Sequence, residues 1–160
     1  MGERRNNPTS SIKEVNWIIR DIMIIAVIDG MGGGIGSQVV HALRDELPSS
    51  IDIYALGTNA IATSAMMKQK ANKGATGENA IRVSSKNANI IICPFSLLIP
   101  DSMMGEVTLS ISESITQSDA YKIILPILPE NYSVIGLEAK PLLLMIKDAI
   151  DIIKKEFSIK

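Results

Sequence analysis

The chain has 160 residues, of which 46% are hydrophobic, 21% charged and only 4% aromatic, with a formal net charge of −1. That length fits one domain with an aliphatic core, and the absence of a Lys/Arg-rich run excludes the electrostatics of a nucleic-acid binder. The one cysteine, Cys93, excludes an internal disulfide framework and any CxxC metal or redox site.

Residues 1–21 begin polar (GERRNNPTSS) and show no signal-peptide pattern, so they are expected to be an appendage to a Rossmann-like domain over 22–160. The first strand is expected over Ile22–Ile28, far short of the roughly 18–20 apolar residues of a membrane span. Gly30–Gly36 follows as a loop. Ile35, Val39, Val40, Leu43 and Leu47 then recur at helical spacing up to Pro48. Ile51–Leu56 reads as strand two and Ala60–Ala71 as a second helix, whereas NKGATGEN (72–79) is rich in turn formers and reads as a loop. A short helix over Glu78–Lys86 and a buried strand over Ile90–Cys93 come next, then a helix over Thr108–Gln117. Two further strands are expected at Ile123–Ile127 and Ser133–Leu137, before a last helix whose apolar stripe is Leu142, Met145, Ile146, Ala149, Ile150 and Ile153. Such alternation predicts an α/β fold: a Rossmann-like three-layer sandwich on a mostly parallel sheet of about five strands.

Five of the 11 glycines fall within seven residues: Gly30, Gly32, Gly33, Gly34 and Gly36. Between a strand and a helix, such residues let an anion approach the free amides of a helix N-terminus, Ile35 included, because no Cβ stands in the way. The string GMGGGIG fits GxxxGxG, as in the cofactor loop of short-chain dehydrogenases, and fits neither GxGxxG nor a Walker A loop. Asp29, at the end of the strand, would repel a phosphate unless it binds loop amides or a metal. If the glycines serve only packing, the chain is instead an oligomeric structural protein without a ligand.

A NAD site places an acid at the end of the second strand, and here that place reads Leu56-Gly57-Thr58-Asn59. NAD is therefore disfavoured. Gly57, Thr58 and Asn59 suit a phosphate, leaving NADP or another nucleotide open as cofactor. No Tyr-x-x-x-Lys pair exists to activate a substrate, so nothing assigns catalytic residues.

Lys73 and Thr76, in the second glycine-containing stretch, could neutralise and hydrogen-bond the same anion. After the third strand, Ser96, Asp101, Ser102 and Glu106 could orient a ligand or hold Mg²⁺ with Asp29, and no metal site is assigned. His41 lies off the apolar stripe of its helix and is expected in solvent, while Cys93 is expected to be an inert buried thiol. The mean hydropathy of +0.22 and the Met66-Met67 and Met103-Met104 pairs point to a homo-oligomer, most simply a dimer.

The strings AVIDGMGGGIG, ALGTNAIATSAM, ANKGATGENAI and SMMGEV together resemble a small bacterial family, the domain of unknown function 3842, over Met23–Glu156. That resemblance implies no activity, substrate or catalytic residue. The function expected from the residues is binding of an anionic small molecule, a nucleotide or phosphorylated metabolite, in the cytoplasm. The alternative is a small NADP-linked or nucleotide-processing enzyme.

Overall fold

A computed structural model describes residues 22–160; the amino-terminal appendage expected at 1–21 lies outside them. Five strands form one all-parallel sheet: β1 (Ile24–Asp29), β2 (Asp52–Gly57), β3 (Lys73–Thr76), β4 (Ile90–Pro94) and β5 (Tyr121–Leu125), in the order β3-β2-β1-β4-β5. Between them run α1 (Gly34–Glu46), α2 (Ala60–Met67), α3 (Glu78–Ser84), α4 (Leu109–Thr116) and α5 (Leu142–Glu156), with a short 3-10 helix at Phe95–Leu98. The expected Rossmann-like α/β architecture is what the chain adopts.

Position in the sheet explains strand composition. The central strands β1 (IIAVID) and β4 (IIICP) have neighbours on both edges and helices on both faces, so they are buried almost throughout. Their side chains alternate between two cores. Ile25, Val27, Ile90 and Ile92 pack with Val39, Val40 and Leu43 of α1, Met66 of α2 and Ile146, Ile150 and Ile153 of α5. Ala26, Ile28, Ile91 and Cys93 pack on the other face with Ile81 of α3 and Ile111 and Ile115 of α4. Fully burying an aliphatic side chain contributes about 1.5–3 kcal/mol, so these two layers dominate stability. None of the helices among the described residues is long and apolar enough to cross a membrane.

Two expected elements are corrected. Lys73–Thr76, within the stretch expected to be a loop, is the edge strand β3, pairing Tyr54 with Lys73 and Gly57 with Thr76. An edge strand needs no apolar alternation, and its register is set by Asn72: its N–H donates to the Ile53 carbonyl at 2.8 Å while its Oδ1 accepts the Ile53 N–H at 2.7 Å. Conversely, Ser133–Leu137 forms no strand. Its β-branched residues have no partner strand, Gly136 turns at φ 85°, and residues 131–140 are all exposed. The sheet still has five strands because one error offsets the other.

Candidate functional site

In a parallel sheet, loops at the carboxyl ends of the strands form a crevice where the strand order reverses. Here that point lies between β1 and β4, and the loop leaving β1 is the glycine cluster. Gly30 starts a turn closed by the Gly33 N–H on the Gly30 carbonyl at 2.9 Å, with Met31 at φ 52° and Gly33 at φ 71°. Helix α1 begins at Gly34, with no side chain capping it.

The five glycines divide by what a Cβ would meet. At Gly30 it would lie 2.6 Å from Thr58 Oγ1 and 2.7 Å from Met103 Sδ; at Gly33, 2.7 Å from the Ala62 Cα of α2; at Gly36, 2.5 Å from Met66 Sδ. Those three are required by close packing. At Gly32 and Gly34 nothing lies within 4 Å, and both residues are exposed. Among the described residues neither of their N–H groups donates to a protein acceptor. Neither glycine is needed for the fold around it.

Two carboxylates meet this loop. Asp29, buried at the end of β1, accepts the Gly30 N–H on Oδ1 at 2.8 Å and the Gly36 N–H on Oδ2 at 2.7 Å. Burial pushes its pKa above the ordinary aspartate range, and the negative charge of Glu106 adds to the rise; the amides of Gly36, Gly30 and Ile35 act in the opposite direction. Ile35 and Gly36 therefore face the protein's own carboxylate. Glu106, from the loop before α4, accepts the Met31 N–H on Oε2 at 2.8 Å; its Oε1 accepts from the Asn59 side-chain amide and, at 3.4 Å, from Thr58 Oγ1.

Most of the residues singled out in the sequence meet here. Gly57 is packed beneath α2, where a Cβ would lie 2.3 Å from Thr63 Oγ1. Thr58 and Asn59 flank the glycine loop; the Asn59 Oδ1 caps α2 by accepting the Ala62 N–H at 2.9 Å, and its Nδ2 also donates to the Met31 carbonyl at 2.9 Å. Thr76 reaches the same sheet edge, but its hydroxyl is engaged with Thr63 Oγ1 at 2.7 Å. Lys73 does not join them. It stands at the start of β3, three strand positions or roughly 10 Å below the edge, with Nζ 5.4 Å from the centre of the Tyr54 ring.

The acid missing from the end of β2 in the sequence is present in space. Glu106 brings a carboxylate to Thr58 and Asn59 from 48 and 47 residues away, a pairing that no local motif announces. No group of three or more His, Cys, Asp or Glu side chains suited to a metal ion is found among the described residues. His41 is exposed and 3.3 Å from Asp45 one turn later. Cys93 is buried, and burial, with a smaller contribution from Asp29, pushes its thiol pKa up to about 12.

Among solved structures the chain is similar to a universal stress protein from Archaeoglobus fulgidus, at 12% identity and a TM-score of 0.36, over 64% of this chain and 97% of that one. No curated protein matches it. The family model described as Domain of unknown function (DUF3842) matches residues 24–158, and the chain belongs to that family.

Proposed function

We propose that the protein binds a nucleotide or other phosphorylated metabolite at the carboxyl edge of its sheet, between the Gly30–Gly36 loop and the Gly57–Asn59 loop. One observation carries this reading: Gly32 and Gly34 are glycines that neither packing nor backbone conformation demands. An exposed glycine in the first turn of a helix weakens that helix relative to alanine. Its use is to leave the amides of the turn open to an anion, where the helix dipole adds attraction. Asp29 does not oppose this as a free charge would, because its oxygens are taken up by the Gly30 and Gly36 amides and burial favours its protonated form. A thermal-shift screen of the parent protein against NADP, NAD, FMN, ATP and coenzyme A tests the reading, since a ligand at a hundred times its Kd stabilises by about 2.7 kcal/mol.

The working unit in this reading is a homodimer in the cytoplasm. Support comes from Val134, Ile135, Leu137, Leu143 and Leu144, large apolar side chains exposed around the start of α5, with Ile135 97% and Leu143 70% exposed. None of the described residues covers them, and an apolar patch of this kind marks an interaction surface.

A further inference from the structure

We propose that Glu106 is a built-in occupant of the anion site: its carboxylate holds the donors that a phosphoryl group would use, and a ligand binds by displacing it. This rests on the reading of the glycine loop given above. The donors that meet Glu106 come from two separate loops, the Met31 N–H from one and the Thr58 hydroxyl and Asn59 amide from the other. Gly32 and Gly34, with their open N–H groups, belong to the first of these loops, and Asn59 ties the second loop to it by donating to the Met31 carbonyl at 2.9 Å. Filling such a donor set with the chain's own carboxylate satisfies it in the empty state and makes every incoming anion a competitor.

One feature argues against a simple strut. The turn that carries Glu106 has positive φ at Asp101 (67°), Met103 (55°), Met104 (58°) and Gly105 (89°). Three of these are non-glycine residues in the left-handed region, a conformation uncommon for residues with a Cβ and able to store strain. The base of the turn is fixed by the Asp101 N–H on the Val107 carbonyl at 2.7 Å and by burial of Val107. Its tip is free: Met104 is 93% exposed. Rotation of the Glu106 side chain opens the donors while the base of the turn stays fixed.

The occupant also selects. A free carboxylate would exchange like for like against a tethered one, and the tether gives Glu106 a high effective concentration. A phosphoryl group has more acceptor oxygens and can take the Gly32 and Gly34 N–H groups in addition to the donors released. Phosphoryl ligands are therefore favoured over carboxylates.

The test is calorimetric titration of inorganic pyrophosphate and of ADP into the parent, Glu106→Ala, Glu106→Gln and the double variant Glu106→Ala/Gly34→Val. If the open state is about a tenth of the population, removing the occupant lowers the apparent Kd about tenfold. Glu106→Ala is expected to bind at least one probe that much more tightly than the parent, Glu106→Gln to fall between them, and the double variant to lose the gain. Should Glu106→Ala prove unstable, Glu106→Gln alone carries the comparison. Equal or weaker binding by both Glu106 variants overturns the occupant while leaving the glycine-loop reading intact. No binding of either probe by any variant overturns both.

Discussion

Oδ2 of Asp29 accepts the N–H of Gly36 at 2.7 Å, so the first turn of α1 faces a carboxylate that belongs to the preceding strand. The carboxyl group is buried, and in the folded chain it holds its proton more tightly than in the unfolded chain. By linkage, Asp29 contributes stability in acid that is lost as the pH rises through its folded pKa. Denaturation of the parent and of Asp29→Asn from the acid range to neutrality checks the sign. The stability of the parent relative to the variant is expected to fall as the pH rises; a difference that stays flat or grows would contradict it.

Adjacent glycines are expected to respond in opposite ways to alanine. Gly33 has φ 71° and a Cβ there would lie 2.7 Å from the Ala62 Cα, so Gly33→Ala should destabilise by roughly 1–3 kcal/mol. Gly34 has open space and a helical position, so Gly34→Ala should stabilise by about 0.5–1 kcal/mol. Urea midpoints at constant m-value report both.

Cys93 should be inert in the native protein. It is 1% exposed, with its thiol pKa raised to about 12, so almost no thiolate is present or reachable at neutral pH. Labelling with a thiol reagent is expected only at the rate of unfolding, and fast stoichiometric labelling without denaturant would show that β4 is open to solvent.

The apolar surface around the start of α5 predicts self-association. Light scattering at micromolar concentration is expected to give about twice the chain mass of 17.3 kDa, and Ile135→Asp with Leu143→Asp to return the monomer with its fold intact. A parent protein already at 17.3 kDa would remove the dimer.

How much of this was legible in the sequence depended on whether the signal was local. The buried strands β1 and β4 are continuous aliphatic runs, readable because both faces and both edges of a central strand are covered. Strand β3 was hidden, since KGAT pairs on one edge only and owes its register to Asn72, a contact with Ile53 that sequence spacing does not display. Ser133–Leu137 misled in the reverse direction: β-branched residues suit a strand, but a strand also needs a neighbour. The glycine cluster announced a strand–loop–helix junction. It could not show that Gly30, Gly33 and Gly36 answer to Thr58, Ala62 and Met66, because those partners come from another βα unit. Once these are set aside, only Gly32 and Gly34 of the cluster have no packing role. Lys73 was assigned to the anion because its neighbours looked like a loop; pairing with β2 carries it to Tyr54 instead.

The account turns on Gly34, and the most direct measurement is binding by Gly34→Val. Outside its own turn a Cβ at this position meets no protein atom within 4 Å, so the unliganded variant should melt close to the parent, while the added methyl groups fill the space between the loop amides and an incoming anion. Thermal shift followed by calorimetric titration, with NADP, NAD, FMN, ATP and coenzyme A, should give at least one nucleotide that binds the parent and Lys73→Ala alike and fails to bind Gly34→Val. Equal binding of that nucleotide by the parent and Gly34→Val, or silence of the parent toward the whole panel, would contradict the glycine loop as the site.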